Sequence, residues 1–279
     1  MRGLHTITSF LRQLIRRLLE DDVFGLAAQL AYFFLLSLFP FLIFLFTLIG
    51  YLPFDKINVL GVISDYAPPD IVHMIETNLQ ELVEHKSGGL LSIGIIGTLW
   101  SASNGINAII RAFNHAYNVE EDRSFIVARL IAIVLTVFMI VVIGVAFLLP
   151  IFGQAIGVYV FSMFGLSEGF LQVWEALRWG ISSVVIIIVL LALYKIAPNK
   201  KVKIKNVIVG AVFATIAWQF VSLAFSYYVS SIGNYTATYG SLGGVIVLMI
   251  WFYLSGIIII MGGEINALLR DMKHEKADR

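Results

Sequence analysis

Apolar residues in this chain fall in long unbroken stretches, not in the apolar–polar alternation of half-buried strands. Such stretches lie near 23–52, 89–113, 126–152, 176–197, 206–231 and 241–268. Each is at or beyond the roughly 20 residues a helix needs to cross hydrocarbon. Lipid offers no partners for backbone N–H and C=O groups, so only helices or closed barrels span it, and continuous runs select helices. The pattern therefore predicts an all-α fold: a polytopic membrane helical bundle in which residues 1–279 form one integral membrane domain of six transmembrane helices, plus short amphipathic interfacial helices.

Two segments between or before the spans carry a helical period with one apolar face. Within residues 1–22, Leu4, Ile7, Leu11, Leu14, Ile15 and Leu18 recur at helical spacing, with Arg12, Gln13 and Arg16 largely elsewhere, which predicts a helix lying at the membrane interface. In the loop 53–88, Pro68-Pro69-Asp70 is a helix-start signal, followed by Ile71, Ile75, Leu79 and Leu82 on one face. The opposite face shows His73, Glu76, Gln80 and Glu84. A metal pair at His73 and Glu76 and a solvated helix face both fit that spacing, the latter better. The first span contains Pro40, which removes a helix hydrogen bond and clashes one turn back, so a kink near Leu36 is expected, with Ser37 placed to rebond a freed carbonyl.

Composition agrees with the pattern: 59% of residues are hydrophobic, 13% are charged and the mean hydropathy is +0.90. Ordinary soluble domains are about a quarter charged. The net charge of +1 says little, but its distribution says more. Sixteen of the nineteen lysines and arginines fall in the N-terminal segment, at Arg111, Arg123 and Arg129, at Lys195 and Lys200–Lys205, and in the tail; Lys56, Lys86 and Arg178 fall in the alternate set. The positive-inside bias then places both termini in the cytoplasm. No small-residue cleavage site follows a short apolar core, so the first span is expected to be retained. The absence of cysteine excludes disulfides, thiolate metal sites and cysteine nucleophiles.

Polar residues inside the spans are the candidates for function, because such groups line cavities or join helices. The second span carries Asn104, Asn107 and Arg111 along one face; the fifth carries Gln219, Ser222 and Ser226, with Gly210 and Ala214 offering a close helix contact; the sixth carries Gly262-Gly263-Glu264 and Asn266. A cavity lined by spans 2, 5 and 6 would draw on Asn104, Asn107, Arg111, Gln219, Ser222 and Glu264, with Tyr235 and Tyr239 closing its outer mouth or anchoring the interface. Glu264 is either a proton-coupling or substrate-contacting carboxylate or a structural partner for Arg111 or another inner cation. The 111–123 loop, with Asn114, Tyr117, Glu120 and Arg123, suggests a hydrogen-bond network that seals or gates the inner end. Lys200, Lys201, Lys203 and Lys205 suit anionic lipid head groups, at about 1 kcal/mol per lysine, although orientation alone also requires them.

The segments LAYFFLLSLFP (30–40), WSASNGINAIIRAFNHAYNVEEDR (100–123), YKIAPN (194–199), NYTATYGSLGG (234–244) and GGEINA (262–267), in this order, resemble the YihY/virulence factor BrkB family. The resemblance implies a bacterial inner-membrane protein of about six spans. Members have carried the name ribonuclease BN, a label regarded as mistaken, and have been called serum-resistance factors; the resemblance supplies no mechanism. On the residues alone, a metal-dependent nuclease would need clustered His, Asp and Glu ligands and a basic, aromatic RNA surface. The five scattered histidines form no such set. No catalytic residue, metal site, cofactor or nucleic-acid partner is expected. The reading is a transporter or translocator of a small solute or lipid; the alternatives are a non-catalytic scaffold for envelope or lipid-synthesis partners and, ranked lower, an intramembrane lipid enzyme. Assembly with further copies of the chain stays open.

Overall fold

The structure is a computed structural model, and it describes residues 2–51, 88–140, 168–231 and 242–277. The expected helix after Pro68, with His73 and Glu76, and the tyrosines Tyr235 and Tyr239 lie outside these residues. All regular structure described is helical: α1 (Arg2–Glu20), α2 (Val23–Tyr51), α3 (Gly88–Ala116), α4 (Phe125–Ile140), α5 (Glu168–Ile196), α6 (Ile208–Ser231) and α7 (Gly243–Ala277), with a single 3-10 turn at Ile204–Asn206. Among the described residues five helices are long and apolar enough to cross a membrane, in α2, α3, α5, α6 and α7. The protein is a multi-pass membrane helical bundle. The third expected span, 126–152, is described only as far as Ile140, where α4 is an apolar helix shorter than a full crossing.

The outward surface shows why the composition is so apolar. Phe220 is 72% exposed and Ile188 58%, with many other large aliphatic side chains like them. In water such a surface would be untenable, and against lipid tails it is the expected covering.

The chain divides into two compact units, Phe34–Ala102 and the combination of Met1–Phe33 with Ser103–Arg279. In the first, α2 continues through Pro40, whose ring lies against Gly97 of α3. Ser37 does not take the carbonyl that Pro40 frees at Leu36. Its hydroxyl donates to the Phe34 carbonyl at 2.7 Å, because a helical serine reaches the carbonyl three or four residues back and not its immediate neighbour's.

In the second unit, α6 packs against both α5 and α7. The α6–α7 contact is close because Gly210 has no side chain: a Cβ there would strike the Gly262 carbonyl oxygen and the Asn266 amide. Gly210 also lies in the first turn of α6, where backbone N–H groups lack partners within the helix. Its N–H donates to Asn266 Oδ1 at 2.8 Å, so a side chain from α7 caps α6. Tyr194 of α5 reaches the same region, donating its hydroxyl hydrogen to the Ile259 carbonyl at 2.9 Å.

Helix α1 departs from a helix that only lies on the interface. Its apolar face divides: Leu14, with Phe10 and Leu18 beside it, packs on Ile265 and Leu268 of α7, whereas Leu11, Ile15 and Leu19 stay exposed. The face is wide enough to serve both contacts, and docking on α7 brings the α1–α2 turn alongside that helix.

Candidate functional site

The functional candidates gather where α1, the end of α3, the α5–α6 connection and the last turns of α7 meet, an end rich in lysine and arginine. Glu264 is at its centre. Its side chain is fully buried, packed within an α7 stretch Gly262–Leu268 that is buried throughout. Neither carboxylate oxygen has a hydrogen-bond donor. The charged side chains acting on it are Asp21 from the α1–α2 turn, Arg17 from α1 and Asp271 from α7. Asp21 lies within hydrogen-bonding reach, yet an ionised carboxylate only accepts and so cannot satisfy a second one.

The arginine expected as a partner is elsewhere. Arg111 is exposed and donates to Gln29 Oε1 at 2.5 Å, because its position on α3 turns it toward α2. Arg17 is the cation near Glu264, but its own hydrogen bonds go to the Asp271 carboxylate at 2.5 Å and the Ala116 carbonyl at 3.3 Å. Tyr117 adds a second unsatisfied group: the residue is 5% exposed and its hydroxyl has no partner. Burial pushes that phenol up to about 12, Arg270 opposes the shift, and Asp271 and Glu264 add to it. The Arg270 guanidinium lies 5.7 Å from the ring centre, a cation–π distance.

Beside this cluster the 111–123 loop is tied down. Helix α3 ends with Asn118 in the left-handed region at φ 49°, which asparagine tolerates. Asn118 N–H donates to His115 and Val119 N–H to Asn114, the paired bonds of a Schellman cap. Asn114 is buried and works twice, donating to Glu121 Oε2 at 2.9 Å and accepting from the Asn199 backbone N–H at 2.7 Å. Arg123 binds Glu121 and the Ala197 carbonyl, the latter at 2.9 Å, and Asn199 donates to the Glu120 carbonyl at 2.8 Å and to Asp122. The hydrogen bond from Arg123, followed by that from Asn114, holds the Glu121 carboxyl below its ordinary value despite partial burial. Of the loop residues singled out in the sequence, Asn114 and Arg123 enter this network through side chains and Glu120 through its carbonyl.

The remaining candidates are dispersed. Asn104 of α3 accepts from Arg129 of α4 at 2.7 Å, Gln219 of α6 donates to Ser183 of α5 at 2.7 Å, and Ser222 of α6 accepts from Trp251 of α7 at 3.4 Å. Asn107 is half-buried on α3. These contacts join neighbouring helices in pairs and bring none of the residues to Glu264. Among the described residues no group of three His, Cys, Asp or Glu side chains is arranged to hold a metal ion.

Residues 14–279 match the family described as virulence factor BrkB. The chain belongs to the virulence factor BrkB family. It is 57% identical over 265 residues, 95% of this chain and 96% of the other, to the putative ribonuclease-like protein YfkH of Bacillus subtilis (strain 168). It is 28% identical to a UPF0761 membrane protein of Alteromonas mediterranea, over 95% of this chain and 89% of that one, and 29% identical to a UPF0761 membrane protein of Vibrio parahaemolyticus, over 99% and 86%. No solved structure is significantly similar to the chain. Family membership thus agrees with a multi-pass membrane protein.

Sequence reasoning passed over Asp21, Arg17, Asp271, Glu121 and Asn199, all of which the fold brings to this end. For Glu121 and Asn199 a signal existed in the dense polar composition of 118–123 and 198–201. For Asp21 and Arg17 none did, since their neighbours come from the far end of the chain.

Proposed function

We propose that this BrkB-family protein is a transporter or translocator of a small solute or lipid in the bacterial cytoplasmic membrane, with both termini and the basic end on the cytoplasmic side. The observation that carries the reading is Glu264: a carboxylate inside a membrane-length helix, fully buried, with both oxygens lacking a donor. Burying such a group unpaired is costly, and ionisable groups in that position commonly lie on ion or substrate pathways. Because Asn104, Gln219 and Ser222 are committed to helix–helix hydrogen bonds, the pathway is read as starting at the Glu264 end. The same residues support no catalytic assignment, so the reading is non-enzymatic.

The test uses the full chain in proteoliposomes, measuring movement of labelled ions, small anions and fluorescent lipids. Wild-type protein is expected to move one class above protein-free vesicles, and Glu264→Gln to lower that rate at least about tenfold, equivalent to a barrier raised by about 1.4 kcal/mol. Vesicles that move none of the three overturn the reading.

A scaffold for envelope or lipid-synthesis partners is the second reading, favoured by those same interhelical hydrogen bonds, which resemble packing glue. Crosslinking in cells that returns a stoichiometric partner, or a second copy of the chain, supports it. In either case Lys200 and Lys201, with Lys195 and Asn199, line an open cavity of about 500 Å³ suited to an anionic head group, with Lys203 and Lys205 following.

A further inference from the structure

Most buried polar side chains of the described helices have hydrogen-bond partners, and among the exceptions Glu264 is the one that carries an unbalanced charge. Glu264 is fully buried with two oxygens that no donor reaches. Asp21, on the turn between α1 and α2, brings a second carboxyl within hydrogen-bonding reach of it. Ionised carboxylates accept but do not donate, and two in contact repel strongly where water is excluded. The nearby guanidinium does not resolve this, since Arg17 directs its hydrogen bonds to Asp271 and to the Ala116 carbonyl. Asp271 adds a third negative group on the α7 side. Just past the end of α3, Tyr117 feels the Glu264 charge, and its hydroxyl is buried and unpartnered. Arg270 lies over the Tyr117 ring, and Lys200 reaches the Tyr117 carbonyl at 3.5 Å.

We propose that Asp21 and Glu264 form a binding site for one small monovalent cation, a proton or a sodium-sized ion, bridging the α1–α2 turn to α7. Either ligand supplies what is missing between them. A proton taken from water makes one carboxyl a donor to the other; a sodium ion accepts lone pairs from both. A divalent ion is disfavoured, because the described residues offer no set of three acidic, histidine or cysteine ligands. Loss of the bridging charge leaves two adjacent carboxylates whose repulsion loosens the turn from α7. The inference deepens the transport reading of Glu264 by naming the species bound there, and it is tested by binding, so failure of a liposome assay and failure of this site are separate results.

The experiment follows thermal unfolding of the purified full chain in nanodiscs, for wild type, Asp21→Asn and Glu264→Gln. One series raises the pH from about 6 to about 9 in choline chloride; a second replaces choline by sodium at constant ionic strength near pH 8. For a proton site, wild-type Tm falls along the pH series by about 3 °C or more relative to both variants, and sodium restores nothing. For a sodium site, wild type gains a similar amount from sodium and the variants gain nothing. Asp21→Asn sits on a partly exposed turn and keeps the test readable if Glu264→Gln fails to fold. Wild type and Asp21→Asn moving in parallel through both series overturns the proposal.

Discussion

The polar groups along the middle of the helices and those at the basic end have the same chemistry and opposite outcomes. Gln219 meets Ser183, Trp218 meets Ser255 at 3.0 Å, and Asn104 meets Arg129: each donor finds an acceptor on the next helix. At the basic end, Glu264 and Tyr117 are more deeply buried and find none. A satisfied interhelical bond in lipid is modest glue, about 0.6 kcal/mol on average. An unsatisfied buried group is a standing penalty of about 1–3 kcal/mol, more if charged. That difference is the ground on which Glu264 is proposed as functional, and it is what the following changes test.

Five changes would break or sharpen that contrast. The largest effect is expected for Gly210→Leu, which drives a side chain into the Gly262 carbonyl and into the Asn266 amide whose oxygen caps α6. Overpacking there should destabilise by about 3 kcal/mol, read as loss of the monodisperse peak in size-exclusion chromatography. If the protein stays monodisperse, the close α6–α7 contact that positions Glu264 is wrong.

Asn114→Ala removes the side chain that joins Glu121 to Asn199 and leaves both short of a partner, for a loss of about 2 kcal/mol in thermal unfolding. The same network gives an acid dependence. Since Arg123 and Asn114 hold the Glu121 carboxyl low, its contribution is complete above the ordinary value of 4.5 and disappears as the pH falls through the lowered one. Hydrogen exchange in 117–123 should therefore rise in acid, and Glu121→Gln should remove that rise.

Gln219→Leu should cost only about 0.6 kcal/mol and leave any transport rate unchanged, because its amide serves one bond to Ser183. A large loss of transport would move Gln219 into the functional group and erase the contrast. The last change, Tyr117→Phe, has the opposite sign: it should stabilise by about 1 kcal/mol at neutral pH, since it deletes a buried hydroxyl that has no partner. Its signature is alkaline. The folded protein binds the phenolic proton more tightly than the unfolded chain does, so this contribution is complete below pH 10 and declines toward about 12. Tyr117→Phe should flatten that decline in a pH series of unfolding.

Much of the architecture was legible without coordinates. Unbroken apolar runs placed the crossings in α2, α3, α5, α6 and α7, because the length of hydrocarbon and the needs of the backbone leave a long apolar segment little choice. The helical period of residues 4–19 likewise gave α1 its apolar face, and the polar density of 111–123 pointed to a network.

Tertiary structure alone decided who pairs with whom. A period of 3.6 says which residues share a face, but not which helix that face meets; Asn104 and Arg111 lie on one side of α3 and still bond to α4 and to α2. Arg111 looked a suitable partner for Glu264, and the fold gave it to Gln29. Asp21 and Glu264 are 243 positions apart in the chain, and no local pattern links them. They meet because Leu14 of α1 docks on Ile265 and Leu268 of α7. Apolar length is a property each segment carries by itself, whereas a buried polar partner is a property of two segments and the packing between them.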